Sequence, residues 1–475
     1  MATSAGIDAA AVTKQAEAAD LRLVRFLWCG NDGTVRAKAS SVCGLETRIG
    51  AGIGVTVAMQ AMNGLDALQP VEGMGPVGEI RIVPDPDTFR VLPYAPRTGA
   101  MLVDQRTLDG DVAPVDQRGF LRRMVDALAE RGAGLEVAFE NEFALAVRAE
   151  RPASSDHGRA TPLDGRLAGR PAFCAIDESL CFSTIGMTAA QDYVDALVDA
   201  LEAQGIQLEQ YYAELGHGQQ EISTAHRPAL QAADEQLLVR ETIRGVAAAH
   251  GLVASLAPKP WPDGAGNGGH VHFSLWDLAE QRNRFHDPAA PDGLSAEGRA
   301  FLAGVLEHLP GLCGLTAPSF NSYRRMVPQY WAGVFTCWGH DNREAPLRLP
   351  SLFQGMEEAS TNVELKAADA TCNPYLAIGG LIAAGLDGLA RGLEPPDPVE
   401  VDPATIDADE RDARGIRRLP TTQEEALDAL AADSALTGAL GPVLTASYLA
   451  VRRSEWETYS AEDEAFEQQG HFLKY

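Results

Sequence analysis

Four residues, three of them glycine, run directly into two histidines at alternate positions: Gly266-Asn267-Gly268-Gly269, then His270-Val271-His272-Phe273-Ser274. No other stretch constrains the fold of this chain as tightly. Residues at i and i+2 of a β-strand point to the same side, so His270 and His272 share one face of a strand. The glycines before them let backbone approach a ligand closely. A metal or phosphate site carried on a sheet is the reading this pattern supports, and carboxylates elsewhere strengthen it.

Glu140-Asn141-Glu142 lies inside an alternating run, Leu135–Val147, so both carboxylates face one side of a second strand. Glu364, in Asn362-Val363-Glu364-Leu365-Lys366, alternates in the same way, and Glu214 and Glu221 frame Gly216-His217-Gly218-Gln219. Carboxylates turned inward from apolar strands are costly unless a cation compensates them. Oxygen ligands with one imidazole suit Mg²⁺ or Mn²⁺ rather than zinc. Two arginine segments, Asn321-Ser322-Tyr323-Arg324-Arg325 and Asn342-Arg343-Glu344-Ala345-Pro346-Leu347-Arg348, add forks that bind carboxylate or phosphate bidentately. Metal-binding carboxylates plus arginines are the parts of a phosphoryl-transfer site. The pattern G-x-x-x-x-G-K-[ST] is absent, so a P-loop is not the route to phosphate.

A net charge of −27 disfavours nucleic acid and anionic membrane as partners. With no uncharged apolar run of transmembrane length, no membrane span is expected. The stretch Met1–Asp8 lacks the basic-then-apolar order of a signal peptide, which makes cytoplasm the expected compartment. The 7 cysteines are scattered without a C-x-x-C pair, so they are expected to be small buried hydrophobes rather than zinc ligands or disulfides.

A chain of 475 residues implies two domains, here 1–112 and 113–475. Asn31-Asp32-Gly33-Thr34 after the apolar run Leu21–Trp28 predicts a hairpin, with further strands at Val55–Met59 and Gly78–Ile82. Val83-Pro84-Asp85-Pro86-Asp87 is expected outside any central strand. Helices are predicted over Arg118–Arg131 and Ala229–His250, and surface loops over Arg151–Arg170 and Leu393–Asp412.

The order of motifs resembles the glutamine synthetase family over nearly the whole chain. It is carried by Val83-Pro84-Asp85…Leu92-Pro93-Tyr94, Phe139-Glu140-Asn141-Glu142-Phe143, Glu214…Gly218-Gln219-Gln220-Glu221, Lys259-Pro260…Gly268-Gly269-His270, Asn321-Ser322-Tyr323, Asn342-Arg343…Arg348 and Asn373-Pro374-Tyr375. The resemblance implies an α+β fold: an N-terminal β-grasp domain and a catalytic domain with a curved antiparallel sheet. It also implies a ring-shaped oligomer, a dodecamer of two stacked hexamers with active sites between subunits. By position, Glu142, Glu214 and Glu221 would hold the metal beside the acid substrate, and Glu140, His270 and Glu364 the metal on the phosphates of ATP. Glu209 and Ser274 resemble nucleotide contacts, Arg343 and Arg348 the arginines on the transferred phosphoryl, and Gly266 and Arg325 contacts to glutamate. His272 reads as a contact to substrate or phosphate. The implied chemistry is phosphorylation of the γ-carboxylate of glutamate by ATP, then attack of an amine on the acyl phosphate.

Departures from that family concentrate at the amine. Ammonium is held in glutamine synthetases by an Asp of the first domain, yet Gly54-Val55-Thr56-Val57-Ala58-Met59-Gln60-Ala61-Met62 contains no acid. The loop that carries a second carboxylate reads Pro328-Gln329-Tyr330-Trp331-Ala332-Gly333, with Trp331 in the place of glutamate. Trp331, with Met59 of a neighbouring subunit, is therefore expected to wall an organic-amine pocket. The family's Glu-x-Arg is Glu364-Leu365-Lys366, which turns a guanidinium fork into a point charge near the acid substrate. Ala265 stands where the family has Asn, and no tyrosine for adenylylation occurs between 393 and 420. The expected activity is glutamate–amine ligation; glutamate–ammonia ligation and a catalytically silent relative are the alternatives.

Overall fold

The computed structural model describes residues 8–148, 173–290 and 292–475; the loop expected at Arg151–Arg170 lies outside them. The described residues form two sheets. The first is built from β1 (Leu23–Cys29), β2 (Val35–Ser41), β3 (Ile53–Thr56), β4 (Glu79–Pro84), β5 (Arg90–Val91) and β6 (Thr98–Arg106). Its order is β2-β1-β6-β4-β3 with β5 also on β6, and β1 and β6 run parallel while the other pairs are antiparallel. A parallel pair inside an otherwise antiparallel sheet, covered by the helices Ala9–Ala18 and Leu45–Ala51, is the β-grasp arrangement.

Alternation explains why β1 and β6 are buried on both faces. Phe26, Trp28, Met101 and Val103 point into a small core with Val12, Leu45 and Ile49. Leu27, Ala100 and Leu102, on the opposite face, join the main core of the molecule.

The second sheet comprises β7 (Ala133–Arg148), β8 (Phe173–Ala175), β9 (Leu208–Ala213), β10 (Gln219–Thr224), β11 (Arg227–Pro228), β12 (Val253–Ser255), β13 (Gly269–Asp277), β14 (Trp338–His340), β15 (Leu347–Leu349) and β16 (Val363–Leu365). Its main path is β14-β15-β16-β13-β7-β10-β9. Helices pack behind it, and the closest pair, Ala296–Thr316 and Pro374–Arg391, meet backbone to backbone. A Cβ on Gly304 would lie 2.3 Å from the Ala384 carbonyl oxygen, and one on Gly388 would lie 2.1 Å from that of Ala300. Glycine is required at both positions for this approach.

Several local expectations need correction. The strand expected at Val55–Met59 stops at Thr56, whose side chain caps a 3₁₀ turn over Val57–Ala61. Pro84 does end a strand with neighbours on both sides. It is tolerated because β3 pairs β4 only over Glu79–Ile82, so the missing N–H falls beyond the partner. The loop at Leu393–Asp412 contains a 3₁₀ turn at Pro403–Thr405 and a helix that starts at Ala408, each opened by an aspartate cap. The catalytic sheet is not wholly antiparallel, since β14 and β15 run parallel at its edge. Of the cysteines, Cys43 and Cys174 are exposed and Cys181 is half-buried, while the other four are buried; all are free thiols.

His308 fastens three helices. Its Nδ1 is 2.7 Å from Asp433 Oδ2, on the cap of Ser434–Leu440, and its Nε2 is 3.0 Å from Asp387 Oδ2 on Pro374–Arg391. The hydrogen bond with Asp433, outweighing burial, and that with Asp387 push its pKa up to about 9. That value lies above the ~6.5 of an unfolded imidazole, so the stabilisation is complete below about pH 6.5 and is lost as pH rises through about 9. Wild type should therefore lose on the order of 1–2 kcal/mol between pH 7 and 10 that His308→Gln does not lose. Thermal unfolding across that range checks this; parallel pH slopes for the two proteins would refute it.

Candidate active site

Register places the sequence-predicted carboxylates on one face. Across β7 and β13, His270 stands opposite Glu140 and Ser274 opposite Glu136. Across β7 and β10, Glu221 stands opposite Glu142, and across β10 and β9, Tyr212 opposite Glu221. On the other flank Glu364 of β16 pairs with His272 of β13 and with Arg348 of β15. Directly opposed residues share a face, so six strands deliver their polar side chains into one cavity of about 830 Å³.

Two carboxylate groups occupy it. Glu140, His270 and Glu364 place one ligand atom each within 4.8 Å of one another. His270 Nδ1 is 3.2 Å from Glu140 Oε2 and 3.4 Å from Glu364 Oε1, and its Nε2 is 3.8 Å from Glu142 Oε1. Although burial opposes it, hydrogen bonds from His270 and His272 hold Glu140 well below the usual carboxylate range. The second group, Glu142, Glu214 and Glu221, meets the His270 ring only from a greater distance, 3.8 Å at Glu142. Burial, with Glu142 and Glu140 beside it, raises the pKa of Glu221, and burial raises that of Glu214. Clustered buried carboxylates pushed upward in this way are what a divalent cation would relieve, and the all-oxygen donors with one imidazole fit Mg²⁺ or Mn²⁺.

The glycine-rich bend is shaped by contact. A Cβ on Gly268 would lie 2.5 Å from His270 Nε2, and one on Gly266 would lie 2.4 Å from Arg325 Cγ. Gly268 N–H in turn donates to Glu142 Oε2 at 2.8 Å. Arg325 is buried, with Nη2 donating to the carbonyls of Lys366 and Ala368, and its side chain lines the cavity.

Arg348 and Lys366 are less free than their positions in the sequence imply. Arg348 Nη1 is 2.8 Å from Glu364 Oε2 and Lys366 Nζ is 3.0 Å from Glu364 Oε1, so both cations hold that carboxylate. Arg343 is exposed, lines the cavity and makes no ion pair among the described residues. His272 spans Asn362 Oδ1 at 2.8 Å and Glu140 Oε1 at 3.1 Å, which makes it a residue that positions Glu140. Glu209 and Ser274 line the cavity, the latter accepting a hydrogen bond from Trp276 Nε1.

Trp331 lies at the mouth. It is 56 % exposed in the single chain, and both it (φ 55°) and Gln329 (φ 64°) take left-handed backbone. Such conformations persist only where neighbours hold them. Glu344 does so, accepting from the N–H groups of Gln329 at 3.2 Å and Trp331 at 2.8 Å. Met59 does not line the cavity of its own chain: it sits in the 3₁₀ turn and packs on the small core of the first sheet.

Sequence reasoning missed two positioning groups. Tyr212 donates from its hydroxyl to Glu221 Oε1, and Gln219 donates to Glu142 Oε2 at 2.9 Å and to the Gly266 carbonyl at 2.8 Å. The signal for Tyr212 was present: Gln210, Tyr212 and Glu214 alternate, and all three line the cavity. Gln219 stands two residues before Glu221 on β10 and lines the same cavity, while its partners come from two distant segments.

Comparison with known proteins agrees with this geometry. The family model described as "Glutamine synthetase, catalytic domain" matches residues 114–470, and that described as "Glutamine synthetase N-terminal domain" matches residues 7–118. The chain belongs to the glutamine synthetase family. A γ-glutamylpolyamine synthetase of Streptomyces coelicolor is 38% identical over 425 residues, covering 89% of this chain and 87% of that protein. A glutamine synthetase of Halobacterium salinarum is 32% identical over 84% of each chain. Among solved structures, one titled a novel glutamine synthase homolog superposes with a TM-score of 0.82 at 30% identity, covering 96% of this chain and 99% of that one. An ADP complex of GmaS superposes at 0.80 with 25% identity, covering 96% and 98%. This glutamine synthetase family member thus shares most of its length, and not just a motif, with these relatives.

Proposed function

We propose that this chain is an ATP-dependent carbon–nitrogen ligase that joins the γ-carboxylate of glutamate to an organic amine through a γ-glutamyl phosphate. One observation carries the reading. The cavity gathers all six candidate metal ligands, while the loop beside it presents the exposed indole of Trp331 where the resemblance to glutamine synthetases implies a carboxylate. The Streptomyces relative's name points the same way.

In this reading Glu140, His270 and Glu364 would hold a divalent cation, Mg²⁺ or Mn²⁺, for the phosphates of ATP, and Glu142, Glu214 and Glu221 would hold another beside glutamate. These cations neutralise phosphate oxygens when bound. The chain's own residues do the rest. Arg343 meets the transferred phosphoryl, and buried Arg325 with the open backbone at Gly266 receives the acid substrate. Arg348 and Lys366 act mainly through Glu364, so the change from Arg to Lys at 366 leaves glutamate recognition to Arg325. Glu209, Ser274 and the stacked pair His226 and Trp276 line the end that takes the nucleotide. Phosphorylation turns a carboxylate oxygen into a leaving group, after which the amine nitrogen displaces phosphate.

The same reading divides the chain into domains 1–112 and 113–475 and assembles it as a dodecamer in the cytoplasm, with Met59 reaching a neighbour's site. Among the described residues no single helix is long and apolar enough to cross a membrane. Phosphate release with ATP, glutamate and a panel of amines tests the activity. An organic amine should outperform ammonia, and Trp331→Glu should shift preference toward ammonia by about tenfold, as expected for restoring one charged contact. Ammonia outperforming every organic amine would overturn the proposal.

A further inference from the structure

The end of the chain folds back toward the glycine bend. Its last helix, Glu464–Phe472, is capped by Asp463 and follows the helix Pro442–Ser460 after only Ala461, Glu462 and Asp463. Tyr459 meets the ring of Phe466 at 5.7 Å and that of His471 at 4.4 Å, so the two helices pack on each other within one chain.

Three side chains of that last helix hold one segment, Pro258–Trp261. Phe472 lies flat on Phe173, with ring centroids 4.2 Å apart, and meets Trp261 edge-on at 5.3 Å. Gln468 Nε2 donates to the Pro260 carbonyl at 3.1 Å. Glu467 works through Asn321: its Oε1 accepts from Asn321 Nδ2 at 2.8 Å, while Asn321 Oδ1 accepts from the Lys259 N–H at 2.7 Å. A carboxylate only accepts and a backbone N–H only donates, so the amide has one orientation open to it. Arg324 closes the other side of Glu467, with Nη2 3.0 Å from Oε2. Glu467 and Asn321 are both buried. Burying a carboxylate and an amide is costly unless they are hydrogen-bonded, and the bonds made here aim Asn321 at Lys259.

The held segment is the floor of the glycine bend. The Pro258 carbonyl accepts from the Asn267 N–H at 2.8 Å, and Lys259 Nζ donates to the Gly264 carbonyl at 2.6 Å. A Cβ on Gly266 would lie 2.8 Å from the Pro258 carbonyl oxygen and 2.4 Å from Arg325 Cγ, so floor, bend and arginine stem touch without slack. Arg325 itself follows Arg324 in the short helix Ser322–Arg325, so the tail grips both sides of this contact.

We infer that the C-terminal helix sets the acid-substrate site: Glu467 acting through Asn321, with Gln468 and Phe472, holds Pro258–Trp261 so that Gly266 and Arg325 face glutamate at a fixed separation. This rests on the ligase reading above. It also gives a physical task to Asn321 and Lys259-Pro260, residues of two motifs that carry the family resemblance. Glu467 is a positioning residue, since it reaches the site only through other groups. The nucleotide end, lined by Glu209, Ser274, His226 and Trp276, receives none of these contacts.

The test is calorimetric titration of the full chain with glutamate, in Mg²⁺ and the non-hydrolysable ATP analogue AMP-PNP. Glu467→Leu should weaken glutamate by about five- to tenfold, the scale of one lost hydrogen bond, and AMP-PNP by less than about twofold. Glu467→Gln keeps an acceptor for Asn321 and should bind glutamate within about twofold of wild type. Gln468→Ala leaves Glu467 in place and should weaken glutamate about threefold; it carries the test if Glu467→Leu does not fold. Wild-type glutamate affinity in Glu467→Leu, or in Gln468→Ala where the former is unfolded, overturns the inference and leaves the ligase reading standing. Equal losses for glutamate and AMP-PNP do the same, because they mark the tail as general support. Glu467→Gln as weak as Glu467→Leu overturns the route through Asn321. No glutamate binding by wild type overturns the ligase reading and the inference with it.

Discussion

Glu364→Gln should lower turnover at least about a thousandfold, because a carboxylate bound to a catalytic cation contributes several kcal/mol of transition-state charge stabilisation. The side chain is 1 % exposed and accepts from Arg348 Nη1 at 2.8 Å and Lys366 Nζ at 3.0 Å, with His270 Nδ1 at 3.4 Å. Glutamine keeps the shape and removes the charge. Two consequences are then separable. Mn²⁺ affinity, measured by calorimetric titration, should fall because the cradle with Glu140 and His270 loses an anionic ligand. The metal-free protein should also lose about 3–5 kcal/mol of unfolding free energy, since Lys366 stays buried without its partner. Turnover within threefold of wild type and unchanged Mn²⁺ affinity would show that Glu364 only pairs the two cations.

The second large effect is on stability alone. Arg118→Met should cost about 3–5 kcal/mol, the scale of breaking a buried ion pair by removing one partner. Arg118, at the start of the helix Gln117–Ala129 and 3 % exposed, reaches Asp104 of β6 at 2.6 Å, Asp85 after β4 at 2.9 Å and Asp234 of the helix Ala229–Ala249 at 2.7 Å. One guanidinium therefore ties the first sheet to the helices behind the second. Denaturant unfolding should show a lower midpoint, with the first sheet losing structure before the rest. Adding Asp234→Asn to Arg118→Met should recover part of the loss, because one of the stranded buried charges is removed. If the single variant unfolds at the wild-type midpoint, the network contributes nothing net.

Much of this site was legible because strand periodicity is local. Alternation alone put Glu140 with Glu142 and His270 with His272 on common faces, and the structure brings all four into one cavity. The departures at Trp331 and Lys366 were equally visible as residues out of pattern. Less legible were the partners. Arg348 and Lys366 read as substrate contacts in sequence, and the fold spends both on Glu364. Tyr212 and Gln219 share the alternation of β9 and β10, but the carboxylate each one orients, Glu221 or Glu142, is fixed only by pairing between segments.

What the sequence determined by itself was the composition of each strand face, the glycine bend before His270, the family and the loss of acid at the amine loop. These depend on backbone geometry over a few residues, which is set by covalent structure and sterics. Tertiary structure decided which faces meet. His270 and Glu140 are 130 positions apart, and His308 and Asp433 are 125 apart. It also held Trp331 outward through the Glu344 clamp and packed Met59 on the small core of the first sheet, outside the cavity of its own chain. Such pairings follow from burying the cores on both faces of β1 and β6 and aligning the ten strands of the second sheet. That is a global balance of desolvation and register which no single segment encodes.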